Sequence, residues 1–218
     1  MEIKRKPTII TIFIKLLYLS CPTFCQPPAD SVRDVEGNEL QTHIKYHIFS
    51  AGGGGGGLCL SARDHRYPCP HNVMQETNSS STGLSVEIFP ADHRQAIKLS
   101  ADVNLAFLAA TVCVQSTVWR VGGVDPFTGR RYVRSDGELG LAGGSRFKIA
   151  RKGSGVGYYK MVHCPSPRGV DDTCEDVGVF VENNRRWLGL GGDTLFIVFK
   201  KVDPRSTDNK QSKISCLL

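Results

Sequence analysis

The side chains most able to do chemistry lie together in a charged insert, Ala91 to Gln95, which interrupts an otherwise apolar stretch. Asp92, His93 and Arg94 follow one another there, so a carboxylate, an imidazole and a guanidinium share one short segment. A hydrolase would also need a nucleophile, and no Gly-x-Ser-x-Gly or comparable motif accompanies any of the six histidines. We therefore expect no enzymatic activity, exposed histidines, and a surface loop at the insert.

Neither a metal nor a cofactor is expected from the remaining residue patterns. His65, His71 and His163 lie near cysteines, but the sequence lacks the paired Cys-x-x-Cys spacing that zinc sites use, and none of these three histidines belongs to a His-x-x-x-His pair. The glycine run from Gly52 to Gly57 is not followed by the Lys-Ser/Thr pair of a phosphate-binding loop. That run is better interpreted as a flexible connection between strands.

The first 25 residues have the features of a secretory signal peptide. Basic residues precede an apolar run from Thr8 to Ser20, and a cleavage site is expected before Gln26. The run is short and contains Lys15, and no later segment is apolar enough to span a bilayer, so no membrane partner is expected after signal removal. We expect a secreted or vacuolar protein, with Asn78 of an Asn-Ser-Ser sequon as a glycosylation site.

Net charge argues against a nucleic-acid partner. Removing the four basic residues and one acidic residue of the signal lowers the formal net charge from +6 to +3. The remaining bases are scattered singly or in pairs such as Arg130-Arg131, whereas nucleic-acid binding requires a concentrated basic face.

Six cysteines remain after residue 25, and a secretory route makes disulfides their first interpretation. Many pairings are possible, and spacing alone does not choose among them. Cys69 precedes the charged insert and Cys113 follows it. If these two are bonded, we expect the disulfide to hold the insert on both sides.

Short strands are predicted on either side of the insert. Val86 and Ile88 alternate with polar neighbours, as in a half-buried strand, and Pro90 then discourages the strand from continuing. Roughly twelve such strands, with turn signals every ten or so residues, predict an all-β barrel or sandwich in a single domain at 26–202, followed by a polar tail at 203–218. Within it, Val103 to Val114 is expected to be a strand and Gly122-Gly123 a turn.

Seven motifs occur along the chain in the order found in one known family. They are Val32-x-Asp34-x-x-Gly37-Asn38-x-Leu40, Cys69-Pro70 with Val73 and Gln75, Thr117-Val118-Trp119, Phe147-Lys148-Ile149, Tyr159-Lys160 to His163-Cys164-Pro165, Cys174-x-Asp176-Val177-Gly178, and Phe196-x-Val198-Phe199-Lys200-Lys201. Together they resemble the plant Kunitz-type soybean trypsin inhibitor family, which includes the miraculin-like proteins. The resemblance extends from about Asp30 to Lys201.

The resemblance implies a β-trefoil of twelve strands, which agrees with the strand count from the sequence pattern. It also implies two disulfides, Cys69 with Cys113 and Cys164 with Cys174. On the chain-entropy model these crosslinks stabilise the fold by about 4 and about 3 kcal/mol, respectively.

The same resemblance implies that a monomer presents one exposed loop to a serine protease as a substrate-like segment. By resemblance the loop consists of Phe89, Pro90, Ala91, Asp92, His93, Arg94 and Gln95. The primary specificity residue is Arg94, His93 or Asp92, and only Arg94 suits the carboxylate in the pocket of trypsin. Inhibitory members commonly brace the loop with the Asn of an Asn-Gly-Gly sequence, and this chain has Thr42-His43-Ile44 there, which predicts weak inhibition of trypsin.

Several alternatives stay open at this point. The chain could be a non-inhibitory, miraculin-like trefoil that binds carbohydrate or protein, or one with a storage or defence role. It could also inhibit a cysteine protease through a different loop. Cys59 and Cys216 have no counterpart in the two-disulfide pattern, so a buried thiol, a mutual bond and an intermolecular bond all remain possible for them.

Overall fold

The computed structural model describes residues 30–64, 66–140, 143–153, 157–165 and 174–204. The predicted signal peptide, Cys216 and all but the first two residues of the predicted tail lie outside the described residues. Within the described part, no helix is long and apolar enough to cross a membrane.

Thirteen strands and one short 3-10 helix, Gly143–Ser145, make up the regular structure of the described residues. The strands are β1 Tyr46–Ser50, β2 Leu58–Ser61, β3 Asn72–Gln75, β4 Val86–Pro90, β5 Asp102–Phe107, β6 Arg120–Val124, β7 Arg131–Arg134, β8 Phe147–Arg151, β9 Tyr159–His163, β10 Glu175–Glu182, β11 Arg185–Leu190, β12 Asp193–Thr194 and β13 Phe196–Lys201.

Six of these strands close into a barrel. Following the antiparallel pairings from β13 leads through β1, β4, β5, β8 and β9 and back to β13, so the ring has no open edge. Closure of this kind removes the exposed strand edges that would otherwise pair with other molecules.

Three hairpins cover one end of the barrel. They are β2–β3, β6–β7 and β10–β11, and their strands β3, β7 and β11 also pair with one another. Each third of the chain thus contributes two barrel strands and one cap hairpin. This arrangement is a β-trefoil and confirms the predicted fold; β12 is a short addition that pairs with β10.

The core lies inside the barrel because alternate residues of each strand point inward. In β4 the buried positions are Val86, Ile88 and Pro90, with Glu87 and Phe89 partly exposed between them. Trp119 is fully buried near the cap, 5.1 Å from the ring of Phe107. The period-two pattern in the sequence therefore identified the inward face of β4 correctly.

The predicted strand from Val103 to Val114 is only half right. β5 ends at Phe107, and the residues from Leu108 to Thr117 form a loop. β-Branched residues favour strands only where a neighbouring strand or core surface is available, and Val112 and Val114 project into solvent instead.

The predicted turn at Gly122-Gly123 is wrong, since both glycines lie within β6. The pairing of β6 with β7 shifts register between Val121 and Val124, so the extra residues form an irregularity in the strand. The sequence pattern also does not predict β7.

The glycine run connects β1 to β2, as expected, but part of it is tightly packed. A Cβ atom at Gly57 would lie 2.0 Å from the carbonyl oxygen of Thr82, and one at Gly56 would lie 2.2 Å from that of Asn78. At Gly52, in contrast, nothing lies within 4 Å. Glycine is required at the end of the run because another backbone segment passes there.

Candidate functional site

Strand β4 carries the charged insert to the surface at one end of the barrel. β4 pairs along its whole length with β5, and its last residue, Pro90, lies opposite Val103. The Ala91 N–H donates to the Asp102 carbonyl at 2.9 Å, and the chain then turns, with the His93 N–H donating to the Pro90 carbonyl at 3.2 Å. The predicted surface loop is therefore a tight turn built on a strand that is fixed in the barrel.

Inside this turn, Asp92 and Arg94 contact each other twice. Asp92 Oδ1 accepts the backbone N–H of Arg94 at 3.1 Å, and Asp92 Oδ2 lies 3.2 Å from Arg94 Nε. The Arg94 side chain is still 69% exposed and the Asp92 side chain 41% exposed. The guanidinium is thus presented to solvent while it is held by a carboxylate of its own loop.

His93 differs from its two neighbours in backbone conformation. Its φ angle is +56°, in the left-handed region. Substrate-like binding needs extended backbone around the scissile bond, and a β-carbon makes the left-handed conformation a distinct and less populated one. For the loop to bind as an extended segment, His93 would have to change its backbone conformation, whether the primary specificity residue is His93 or the adjacent Arg94.

The far end of the loop is braced by backbone hydrogen bonds from the segment that precedes β1. The Thr42 N–H donates to the Gln95 carbonyl at 2.8 Å, and the Ile97 N–H donates to the Leu40 carbonyl at 2.9 Å. The neighbouring His43 Nδ1 lies 3.0 Å from Glu87 Oε1 on β4. The resemblance implies a bracing side chain near Thr42, whereas in the structure the backbone of this segment makes the contact.

The structure contains both disulfides that the resemblance implies. Cys69 and Cys113 are bonded with their Cα atoms 5.6 Å apart, and Cys164 and Cys174 with theirs 4.3 Å apart.

The sequence predicted that a Cys69–Cys113 disulfide would hold the charged insert on both sides, and this prediction is wrong. Cys113 follows β5, whose C-terminal residue, Phe107, lies opposite Val86 at the start of β4. The disulfide therefore secures the opposite end of the β4–β5 pair from Asp92 and Arg94. Antiparallel pairing, which reverses the chain between the two cysteines, accounts for the difference.

The histidines are not uniformly exposed. His47, His71 and His163 are buried, whereas His43 and His93 are exposed. Burial lowers the pKa of His71, and it also lowers the pKa of His163, although the hydrogen bond of His163 to the Arg146 carbonyl acts in the opposite direction. The expectation of exposed histidines was wrong for these three. His163 occupies an inward position of β9, His71 lies in the loop before β3, and His47 lies on the outer side of β1 between the inward-facing Tyr46 and Ile48 but is still covered.

Cys59 is completely buried in β2, and its sulfur lies 3.3 Å from Glu76 Oε1. A sulfur enclosed in this way is out of reach of another molecule, which argues against the intermolecular bond considered for it. Asn78 of the predicted sequon is exposed, and its Oδ1 accepts the Ser80 N–H at 3.0 Å. Glycosylation of Asn78 stays a prediction.

Sequence reasoning missed a cleft of about 320 Å³ between the loop after β2 and the β6–β7 hairpin. Arg63 lines this cleft and makes three side-chain contacts. Its Nη1 donates to Asp125 Oδ2 at 2.9 Å, its Nε lies 3.5 Å from Glu182 Oε2, and its guanidinium stacks 3.8 Å from the centroid of the Tyr132 ring. Arg130 also pairs with Glu182 at 2.6 Å, so two guanidinium groups and two carboxylates balance one another here. No pattern along the chain signals them, because the three partners lie far from Arg63 in the sequence, on the β6–β7 hairpin and on β10.

No group of three His, Cys, Asp or Glu side chains among the described residues is placed to hold a metal ion. The arrangement at Asp92 and Arg94 likewise offers no nucleophile with an adjacent base. Its chemistry is that of a rigid, charged surface loop, suited to binding another molecule.

Comparison with known proteins agrees with the fold. The family model described as trypsin and protease inhibitor matches residues 32–201. The α-amylase/subtilisin inhibitor of rice, Oryza sativa subsp. japonica, is 37% identical over 202 residues, which cover 88% of this chain and 94% of that protein. Miraculin of Synsepalum dulcificum is 32% identical over 183 residues, covering 78% of this chain and 83% of miraculin.

A solved structure shows the same architecture. The protease inhibitor alocasin from giant taro, Arum macrorrhizon, superposes with a TM-score of 0.67 at 30% identity, and the match covers 79% of this chain and 99% of alocasin. With the family model spanning the whole trefoil, the chain belongs to the plant Kunitz-type family of trypsin and protease inhibitors.

Proposed function

We propose that this chain inhibits serine proteases by presenting the loop from Phe89 to Gln95, and that Arg94 is the side chain that enters the protease pocket. The observation that carries the proposal is the exposure of Arg94, which is 69% open to solvent at a turn held at both ends by backbone hydrogen bonds. Members of the family are named as inhibitors of trypsin and subtilisin, which supports the same function here.

Rigidity of the loop supports inhibition in preference to simple binding. The loop is attached to β5 through the Ala91 N–H and to the segment before β1 through the Gln95 carbonyl. A loop whose two ends are ordered before binding loses less conformational entropy in the complex than a free segment does, which is how protease inhibitors of standard interface size reach high affinity. A cleaved loop held at both ends also leaves the protease slowly.

The ion pair within the loop sets a limit on trypsin affinity. Arg94 must exchange Asp92 for the carboxylate of the trypsin pocket, and an exposed pair of this kind contributes about 0.2–1 kcal/mol. That cost weakens trypsin binding by no more than about fivefold. We therefore propose measurable but reduced trypsin inhibition, with subtilisin, the target in the name of the rice relative, as the second protease to assay.

The test is a titration of the purified protein against trypsin, chymotrypsin, elastase and subtilisin, repeated with Arg94→Ala. A matched control is Arg66→Ala, because Arg66 also follows an aspartate by two residues and pairs with Asp64 at 3.2 Å on another loop. We expect Arg94→Ala, and not Arg66→Ala, to weaken trypsin inhibition. Absence of inhibition of all four proteases at micromolar protein would end the proposal.

The main alternative is a non-inhibitory trefoil that binds carbohydrate or protein, which the similarity to miraculin supports. A glycan array distinguishes the two. A sugar ligand that is bound equally by the wild type and by Arg94→Ala, in a protein that inhibits no protease, would favour the alternative.

We also propose that a signal peptide of residues 1–25 directs the chain into the secretory pathway, that residues 26–202 form the inhibitor domain, and that 203–218 is a tail. N-terminal sequencing of the secreted protein tests the first boundary, and mass spectrometry tests the sugar at Asn78. Size-exclusion chromatography with light scattering tests the proposed monomer.

A further inference from the structure

A second loop, defined here as Leu108 to Thr117, exposes two aliphatic side chains at the opposite end of the β4–β5 pair. Val114 is fully exposed at 101% and Val112 is 83% exposed, while Cys113 between them is only 7% exposed. Single exposed valines are common on protein surfaces, but these two flank a disulfide that fixes the backbone between them.

Hydrogen bonds hold this second loop at its base and at its tip. At the base, the Phe107 N–H donates to the Thr117 carbonyl at 3.2 Å, and Thr117 Oγ1 donates to the Phe107 carbonyl at 2.7 Å. At the tip, Thr111 Oγ1 donates to the Cys113 carbonyl at 3.0 Å, and Cys113 is bonded to Cys69. The valines are therefore presented by a prearranged backbone, so little ordering entropy would be lost on binding.

The backbone and the composition of the second loop differ from those of the first loop, which is Phe89 to Gln95. No residue from Leu108 to Thr117 has a positive φ angle, in contrast to His93, although the backbone bends from Val112 to Gln115. The second loop also contains no charged residue, whereas the first contains Asp92 and Arg94. A partner for the second loop should offer a small, uncharged apolar pocket.

The two loops lie far enough apart to act separately. β4 and β5 are antiparallel, with Pro90 opposite Val103 at one end and Val86 opposite Phe107 at the other. Four residue steps along β4 correspond to roughly 14 Å at about 3.4 Å per residue. The chain leaves the barrel in opposite directions at the two ends, so a protein bound at one loop approaches from a different side than a protein bound at the other.

We propose that the second loop is a separate protease-binding loop, with Val114 as the primary contact, for serine proteases whose specificity pocket accepts small aliphatic side chains. The elastase type has such a pocket. Val114 suits it because the side chain is small, branched and uncharged, and because it is completely accessible while its backbone is fixed. This inference goes beyond the proposed function of the first loop in both site and specificity.

Pancreatic elastase is the probe, and the inhibition constant is measured in an Arg94→Ala background so that the first loop does not contribute. We expect Arg94→Ala to inhibit elastase as well as the wild type does. Adding Val114→Arg should weaken elastase inhibition by about thirtyfold or more, the loss typical of a central interface residue. Because Val114 has no buried surface to lose, the variant is expected to fold normally, which its melting temperature would verify.

Val181→Arg is the matched control, since Val181 is another exposed valine, at 62%, on β10. It should leave elastase inhibition unchanged. A mixture of the wild type with inactive trypsin and inactive elastase should give a ternary complex in size-exclusion chromatography. The proposal is overturned if elastase is not inhibited at micromolar protein, if Arg94→Ala abolishes elastase inhibition, or if Val114→Arg leaves it unchanged.

Discussion

Replacing Asp92 by asparagine is expected to tighten trypsin inhibition, because the substitution removes the charge that competes with the protease for Arg94. Asp92 Oδ2 lies 3.2 Å from Arg94 Nε, while Asp92 Oδ1 accepts the Arg94 backbone N–H at 3.1 Å. Asparagine keeps an Oδ1 acceptor and is equally suited to turns, so it retains the backbone contact. The substitution therefore isolates the ionic contribution from the geometry of the loop.

The size of the effect follows from the exposure of the pair. With 69% of the Arg94 side chain and 41% of the Asp92 side chain open to solvent, the pair belongs to the exposed class, which contributes about 0.2–1 kcal/mol. Loss of that competition corresponds to an inhibition constant for trypsin that is about 1.4- to 5-fold lower. Salt screens exposed charges, so the gain should shrink as ionic strength rises.

The assay is a steady-state titration of trypsin with the wild type, Asp92→Asn, Arg94→Ala and the double variant, at low and at high salt. The four inhibition constants form a double-mutant cycle whose coupling energy reports the contact between the two residues. Asp92→Asn could lower the inhibition constant for trypsin by the same factor with arginine and with alanine at position 94. That result would refute the reasoning, because the stronger inhibition would then not come from release of Arg94. Unchanged or weaker inhibition by Asp92→Asn at low salt would refute it as well.

Two further predictions concern stability. Gly57→Ala should lower the free energy of unfolding by about 1–3 kcal/mol, the cost typical of overpacking. Gly52→Ala, at the open end of the same run, should change the free energy of unfolding little, and urea unfolding of both variants measures the difference. Stability should also fall as pH drops below about 6.5, because the buried His163, whose pKa is lowered in the folded state, binds its proton more readily when unfolded. Urea unfolding between about pH 7.5 and about pH 5 should show a smaller loss for His163→Asn, which retains a donor for the Arg146 carbonyl; an equal loss would contradict the assignment.

Much of the fold could be predicted because its signals are local. The alternation of Val86 and Ile88 with polar residues marks β4, and Pro90 marks its end. The order of short motifs along the chain resembled one family, and the trefoil and both disulfides followed from that resemblance. The exposed position of the charged insert was also predictable, since three successive charged or polar side chains have no place in an apolar core.

The sequence predictions that the structure contradicts share a different cause. Val112 and Val114 have strand-forming side chains, yet the disulfide to Cys69 and the closure of the loop at Phe107 hold them in solvent. The glycine run predicts a flexible connection, yet the backbone at Thr82 lies against Gly57. In each case the deciding contact joins residues that are far apart in the sequence, which a local pattern does not report.

The sequence by itself determined which residues form the charged loop, because polarity, Pro90 and the flanking alternation are all local properties. Only the tertiary structure decided how that loop is supported. The antiparallel pairing of β4 and β5 moves the Cys69–Cys113 disulfide to the other end of the pair, and backbone hydrogen bonds from Thr42 brace the loop in its place. The physical reason is that barrel closure, and not proximity along the chain, determines which segments meet.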